Sequence, residues 1–228
     1  MRTSYYAPAQ SATRSATLID SLLPGRSLLA DVALVVGFAM FTAVFAQIAI
    51  KLPFTPVPIT GQTLAVLLTG GALGANRGAA SLALYMLVGM VGLPVFAPSL
   101  GEGTVVHFIL PWEGSNALVW NIASGGYIVG FVGAAWLVGR LAERGWDRSW
   151  RVLLALLAGN VVLYVPGLLW LGWWAVDNEW TSGAKIIPDT LQWGLWPFVA
   201  GDLAKLYVAS VALPGAWALV RRIRDEDY

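Results

Sequence analysis

Gly201-Asp202-Leu203-Ala204-Lys205 lies within a stretch, about residues 196–220, that otherwise reads as a membrane span. A carboxylate and an ammonium three residues apart project from one face of a helix. Each costs roughly 2.5–3.5 kcal/mol at the centre of a membrane helix on insertion scales. Such groups are kept where they face protein or a polar cavity, usually paired. The pair therefore reads either as a structural lock between helices or as a functional site, and it places the rest of the chain around a polar centre inside a membrane.

Composition agrees. The 228 residues are 57% hydrophobic and 12% charged, with mean hydropathy +0.68, whereas soluble domains carry about 25% charged residues. The expected class is an all-α polytopic membrane protein. With no cysteine there is no disulfide framework, no thiolate nucleophile and no thiolate metal site. The one histidine, His107, excludes a His-rich metal centre, so neither a metal nor a cofactor is expected. A net charge of +1 gives no case for nucleic acid. Twelve tryptophans suit interfacial belts or an aromatic-walled pocket.

Residues 1–29 are polar, carry Arg2, Arg14 and Arg26, and read as a mostly disordered tail without a signal peptide. Spans are expected at about 30–50, 60–75, 79–96, 122–141, 152–174 and 196–220, which makes 30–220 one six-helix transmembrane domain and 221–228 a short tail. The first span contains Ala39-Met40-Phe41-Thr42-Ala43, a small-xxx-small face open to close helix approach. Pro53, Pro56 and Pro58 then force a stiff, extended loop. Ala75-Asn76-Arg77-Gly78 reads as the turn of a helical hairpin. Residues 97–121 are too polar for a span and suggest a short interfacial helix. Gly159-Asn160 and Tyr164 share a helix face, which Gly167 continues.

An even number of spans puts both termini on one side. Every one of the 11 arginines then falls on that side, with Lys51 and Lys185 on the other and Lys205 in between. That asymmetry makes the termini cytoplasmic, in a multi-pass protein of the cell membrane. Lys205 lies about 13 Å deep from the outer end of its span. It shares that outer half with Asp202, below the Pro-rich loop and the 97–121 loop, and both loops are placed to act as lids. Other roles remain open: Asn160 as a bridge between helices, Tyr164 as a packing anchor, Gln62 and Thr63 as helix caps, His107 as an ordinary loop residue. The glycines at 89, 92, 125, 126, 130 and 133 read as close-packing devices, since no nucleotide-binding pattern follows a strand.

Five motifs in order give the chain a family resemblance: Pro53 to Val66 (PFTPVPITGQTLAV), Leu84 to Gly89 with Gly92 to Ala97, Gly125-Gly126-Tyr127 to Phe131, Gly159-Asn160 with Tyr164, and Gly201 to Lys205. Over roughly residues 30–220 the chain resembles the BioY family, the biotin-uptake S components of energy-coupling-factor (ECF) transporters. The resemblance implies a six-helix, non-enzymatic substrate-binding subunit that takes biotin from outside and works with a transmembrane coupling subunit and two cytoplasmic ATPases. It implies that Asp202 and Lys205 form the polar end of the pocket near the biotin carboxylate, that Asn160, Tyr164, Tyr127 and Gln62 line it, and that Ala39 and Ala43 dock the coupling subunit. Residues 98–121 depart from the family's shorter, glycine-rich loop, and Ser124 stands where a threonine is usual. Biotin is an amphipathic acid, and such a ligand calls for a mostly apolar pocket with few polar groups and one cation. The alternatives are an S component for another small vitamin, an intramembrane enzyme and a ligand-free scaffold. The enzyme reading lacks a nucleophile–base pair or a second intramembrane carboxylate beside Asp202.

Overall fold

The computed structural model describes residues 16–100 and 103–226. Within these the chain is predominantly helical. Thr17 caps α1 (Leu18–Leu22) through a capping box with Asp20. Ser27 caps α2 (Leu28–Ala46) by accepting from the Ala30 amide. Then follow α3 (Gln62–Leu73), α4 (Ala75–Met90), α5 (Gly125–Ala142), α6 (Val152–Asp177), α7 (Ile186–Gly194) and α8 (Trp196–Glu226). Three short strands, β1 (Ala49–Lys51), β2 (Ile59–Thr60) and β3 (Val105–His107), form an antiparallel sheet in the order β2-β1-β3.

Among the described residues, four stretches are long and apolar enough to cross a membrane: α2, α5, α6 and Gly183–Ile223, which holds α7 and α8 as far as Ile223. At 1.5 Å per residue the 12 residues of α3 span about 18 Å and the 16 of α4 about 24 Å, short of a hydrocarbon core roughly 30 Å thick. Leu153, Leu157, Val161, Val165 and Leu169 leave α6 with a continuous exposed apolar face. An apolar surface of that extent needs a lipid environment, and the chain is a multi-pass membrane protein.

Several expectations change in detail. The expected turn at Ala75–Gly78 is already the first turn of α4; the chain reverses at Gly74 alone, whose φ of +82° only glycine adopts without strain. The described residues of the 97–121 loop hold β3 and a single 3-10 turn at Val119–Asn121 instead of an interfacial helix. The polar stretch after α6 contains an unforeseen helix, α7. Of the expected tail, residues 1–15, with Arg2 and Arg14, lie outside the described part, while the remainder is ordered as α1 and the start of α2. His107 is buried and holds the loop down, with Nδ1 2.6 Å from the Gln47 carbonyl oxygen and Nε2 2.9 Å from that of Pro111.

Helix α5 is the hub, packed on α3, α4 and α6. Its glycines are there for backbone proximity: a Cβ on Gly126 would sit 2.2 Å from the Pro166 carbonyl oxygen of α6, and one on Gly130 would sit 2.7 Å from that of Leu163. Gly70 of α3 meets the Ala135 carbonyl oxygen in the same way at 2.6 Å. Gly89 gives its space to the Phe96 ring. Gly92 is different, a positive-φ turn residue with open space around it.

At the end of the bundle opposite the sheet, Arg26 and Arg77 both bond Asp20 and Asp31. Burial works against the Asp20 charge, but hydrogen bonds from Thr17, Arg26 and Arg77 outweigh it and hold its carboxyl well below the usual carboxylate range. This network ties α1 to the α3–α4 reversal.

The face carrying Ala39 and Ala43 is turned inward. Their exposures are 4% and 1%, and they sit in the core with Val66, Leu82 and Tyr85. Helices α3 and α4 of the same chain therefore occupy the face expected to receive a coupling subunit. The exposed small residues of α2 are Ala33 and Gly37, with nothing within 4 Å of a Cβ built on Gly37. Ala43→Leu is expected to overpack the core and to destabilise the fold by about 1–3 kcal/mol. Gly37→Leu should leave stability nearly unchanged. Thermal unfolding of the detergent-solubilised protein distinguishes them; equal melting temperatures would place Ala43 on an open face after all.

Candidate functional site

The polar centre is built by three helices. Asp202 and Lys205 come from α8, Asn160 and Tyr164 from α6, and Thr63 from the first turn of α3. Asp202 is only 4% exposed. Its carboxylate accepts four hydrogen bonds. Lys205 Nζ and Thr63 Oγ1 donate to Oδ1 at 2.9 and 3.3 Å. The Tyr164 hydroxyl and Asn160 Nδ2 donate to Oδ2 at 2.6 and 3.4 Å. Four donors satisfy an ionised carboxylate of this depth, whose unpaired charge would be costly.

Lys205 Nζ also donates to Thr63 Oγ1 at 2.9 Å. An ammonium has three donors, so one remains beyond these two bonds. It lies at a cavity that Lys205 lines together with Asp202, Thr63 and Gln62. Apolar side chains form the walls, among them Val57, Ile128, Phe131, Leu163 and Phe198. Tyr127 and Tyr164 meet edge-to-face at 5.7 Å in the same wall. The cavity volume is about 40 Å³, room for a few water molecules.

Local sequence explains the placement. The proline-imposed extended loop is pinned between β1 and β2 and delivers Val57 and Pro58 to the cavity mouth. Thr55 Oγ1 donates to the Trp193 carbonyl oxygen at 2.7 Å, and the Tyr127 hydroxyl donates to that of Gly194 at 2.8 Å. These two bonds fix the end of α7 over the loop and over α5. The close approach of α5 and α6 at Gly126 and Gly130 brings Tyr127 beside Tyr164.

Of the six residues expected to bind substrate, Asp202, Lys205, Tyr164, Tyr127 and Gln62 all line this cavity. Asn160 does not. It reaches Asp202 from behind, and it borders a separate groove between α6 and α8. Gln62 is not a helix cap: its Nε2 donates to the Tyr85 hydroxyl at 2.7 Å, and its Oε1 accepts from Thr60 at 2.9 Å. Sequence reasoning treated Thr63 as a possible cap and passed over Tyr85. Thr63 carries a usable signal, a hydroxyl one turn inside an apolar helix. Tyr85 sits in an apolar run where nothing marks its hydroxyl.

A family model described as the BioY family matches residues 13–222. The biotin transporter BioY of Thermotoga maritima is 34% identical over 173 residues, covering 75% of this chain and 88% of the relative. That of Rhodobacter capsulatus is 33% identical over 186 residues, covering 73% and 86%. The crystal structure of the S-component for biotin from an ECF-type ABC transporter is similar to this fold, with a TM-score of 0.63 at 20% identity over 89% of this chain and 95% of that one.

Removing one partner of a buried ion pair strands the other charge, which costs about 3–5 kcal/mol. Lys205→Ala is therefore expected to lower the unfolding midpoint strongly. Adding Asp202→Asn to the same protein should recover more than half of the loss. Denaturant titration of the two variants is the check, and a double variant no more stable than the single would mean that Asp202 is not charged in the fold.

Proposed function

The chain belongs to the BioY family, and on that premise we propose that it is the biotin-binding membrane subunit of an energy-coupling-factor importer. It captures biotin from outside and delivers it together with a transmembrane coupling subunit and two cytoplasmic ATPases. The chain carries no nucleotide-binding motif of its own, which fits a division of labour between ligand capture and energy supply. Six spans with both termini in the cytoplasm agree with the arginine asymmetry. In this arrangement α3 and α4 form a short helical hairpin, in which α3 is largely buried and α4 keeps an exposed apolar side at Leu87.

The observation that carries the reading is Lys205 at the polar end of an otherwise apolar cavity. Its remaining donor suits a carboxylate, and a charge-assisted hydrogen bond there is short and strong. The apolar wall of Phe131, Ile128, Leu163 and Phe198 suits the valeryl chain and thioether. Asp202 is the orienting group: its four donors leave it little capacity for a ligand N–H, and it holds the ammonium in place. Tyr164 and Thr63 complete that cage, Tyr127 and Gln62 contact the ligand from the wall and the mouth, and Asn160 supports Asp202 from outside the cavity. No enzyme chemistry follows from this set, because the carboxylate is held by its neighbours and has no nucleophile to activate.

Purified protein in detergent or nanodiscs should bind radiolabelled biotin saturably, and an excess of another vitamin should not displace it. Lys205→Gln keeps a donor but removes the charge. It is expected to weaken biotin binding roughly ten- to hundred-fold, the equivalent of about 1.5–3 kcal/mol. The neutral biotin amide should bind wild type more weakly than biotin and lose little further affinity in the variant. If the variant weakens both ligands equally, Lys205 does not meet the carboxylate.

A further inference from the structure

Gln62 belongs to a chain of hydrogen bonds whose two ends fix its direction. At one end the Val95 carbonyl oxygen can only accept, so the Tyr85 hydroxyl donates to it at 3.1 Å. The Tyr85 oxygen is then the acceptor for Gln62 Nε2 at 2.7 Å. At the other end the Gln62 backbone N–H opens α3, where an amide has no partner within the helix. It can only donate, and it does so to Thr60 Oγ1 at 3.3 Å. The Thr60 hydroxyl hydrogen is thereby directed to Gln62 Oε1 at 2.9 Å. Both ends give the same orientation: the side-chain amide turns its nitrogen to Tyr85 and its oxygen to Thr60. Tyr85 is itself fixed. It is 1% exposed, and its ring packs edge-on against Phe96 at a centroid distance of 5.5 Å.

A primary amide has two N–H donors and two acceptor lone pairs. Tyr85 and Thr60 take one of each, so one N–H and one lone pair of Gln62 remain on the same planar group. Gln62 and Thr60 line the cavity at Lys205, while Tyr85 stands behind them, outside its lining. A fixed donor next to a fixed acceptor is complementary to a ligand group that offers an acceptor next to a donor. A carboxylate, a thioether or a hydrocarbon chain does not offer that, whereas a cyclic urea does, through its C=O and N–H. We propose that Gln62 reads the ureido ring of the ligand and that Tyr85 and Thr60 are positioning residues, which set the specificity by holding the amide in one orientation. This rests on the functional reading above and places the two ends of the ligand: the carboxylate at Lys205, the ureido ring at Gln62. A site built to hydrogen-bond a polar group rejects the analogue that lacks it, because its own buried groups are then left unpaired. An amide already held in place also avoids the cost of ordering a long side chain on binding.

The test measures affinities by competition against radiolabelled biotin on the full chain in nanodiscs, with three ligands. Biotin is compared with desthiobiotin, which keeps the urea and the carboxylate but lacks the sulfur, and with tetrahydrothiophene pentanoic acid, which keeps the thioether and the carboxylate but lacks the urea. Tyr85→Phe removes only a hydroxyl outside the cavity. It should weaken biotin and desthiobiotin roughly three- to ten-fold each, and the urea-free acid by less than about two-fold. Thr60→Val, at the other end of the chain of bonds, should give the same pattern independently. In Gln62→Met there is no amide to orient, so adding Tyr85→Phe should change biotin affinity by less than about two-fold. Equal weakening of all three ligands by Tyr85→Phe and Thr60→Val is what a merely structural role gives. That result, an unchanged biotin affinity in Tyr85→Phe, or full additivity with Gln62→Met would each overturn the positioning role while leaving the functional reading intact. Wild-type protein that binds no biotin would overturn both.

Discussion

Everything at the centre of this fold follows from the need to bury one carboxylate. Asp202 lies where an unpaired charge is prohibitive, and its four donors come from three separate helices. No two of α3, α6 and α8 can slide along one another without breaking one of those bonds. The pair with Lys205 is local, one turn along α8, and alone it would neutralise the charge without fixing any tertiary relation. Thr63, Asn160 and Tyr164 convert a local pair into a three-helix junction. That junction also explains how an apolar cavity can exist beside a charge: the groups that need solvation are solvated by protein.

The junction requires close packing elsewhere. Side chains as short as Thr63 and Asn160 reach Asp202 only if the helices lie near one another. In a membrane, where the hydrophobic effect does not press helices together, small residues permit that approach. The contacts of Gly126 and Gly130 with α6 carbonyls, and of Gly70 with α5, are such places. A methyl group at any of them would meet backbone that cannot move aside. Ala39 and Ala43 do the same work for α2 against α3 and α4, which is why a small-xxx-small pattern belongs to the core here.

The pattern of hydropathy made the helical class and most helix positions legible, because apolar runs in a membrane protein are read directly. Asp202 and Lys205 were legible because charge in such a run demands a partner. Which way a face points was not. Ala39 and Ala43 look the same in sequence whether the neighbouring helix belongs to this chain or to another, and only the position of α4 decides it. Helix length was legible only approximately. The 60–75 span contracts to Gln62–Leu73, because a helix begins and ends where its terminal polar groups find partners rather than where hydropathy changes. Helix α7 was missed because its polar and apolar residues average out over a window, although they separate into two faces on the helix. Asn160 shares a face with Tyr164 yet does not line the cavity: a shared face at i, i+4 says nothing about which side of a third helix each side chain passes.

The three neutral donors on Asp202 have a further consequence for ligand capture. If Lys205 alone satisfied Asp202, sharing its ammonium with an incoming carboxylate would leave two anions competing for one cation in a low-dielectric site, and binding would be opposed by repulsion. Tyr164, Thr63 and Asn160 remain on Asp202 whatever Lys205 does. They disperse its charge through hydrogen bonds that need no net positive partner. On the proposed reading, that lets Lys205 turn part of its charge toward the ligand while Asp202 stays ionised and still orients it. A lysine without the aspartate would be mobile and, empty, expensive to bury. An aspartate without the neutral donors would hold the lysine too firmly to share it. The arrangement fits a site that must be stable when empty and still receptive to an anion.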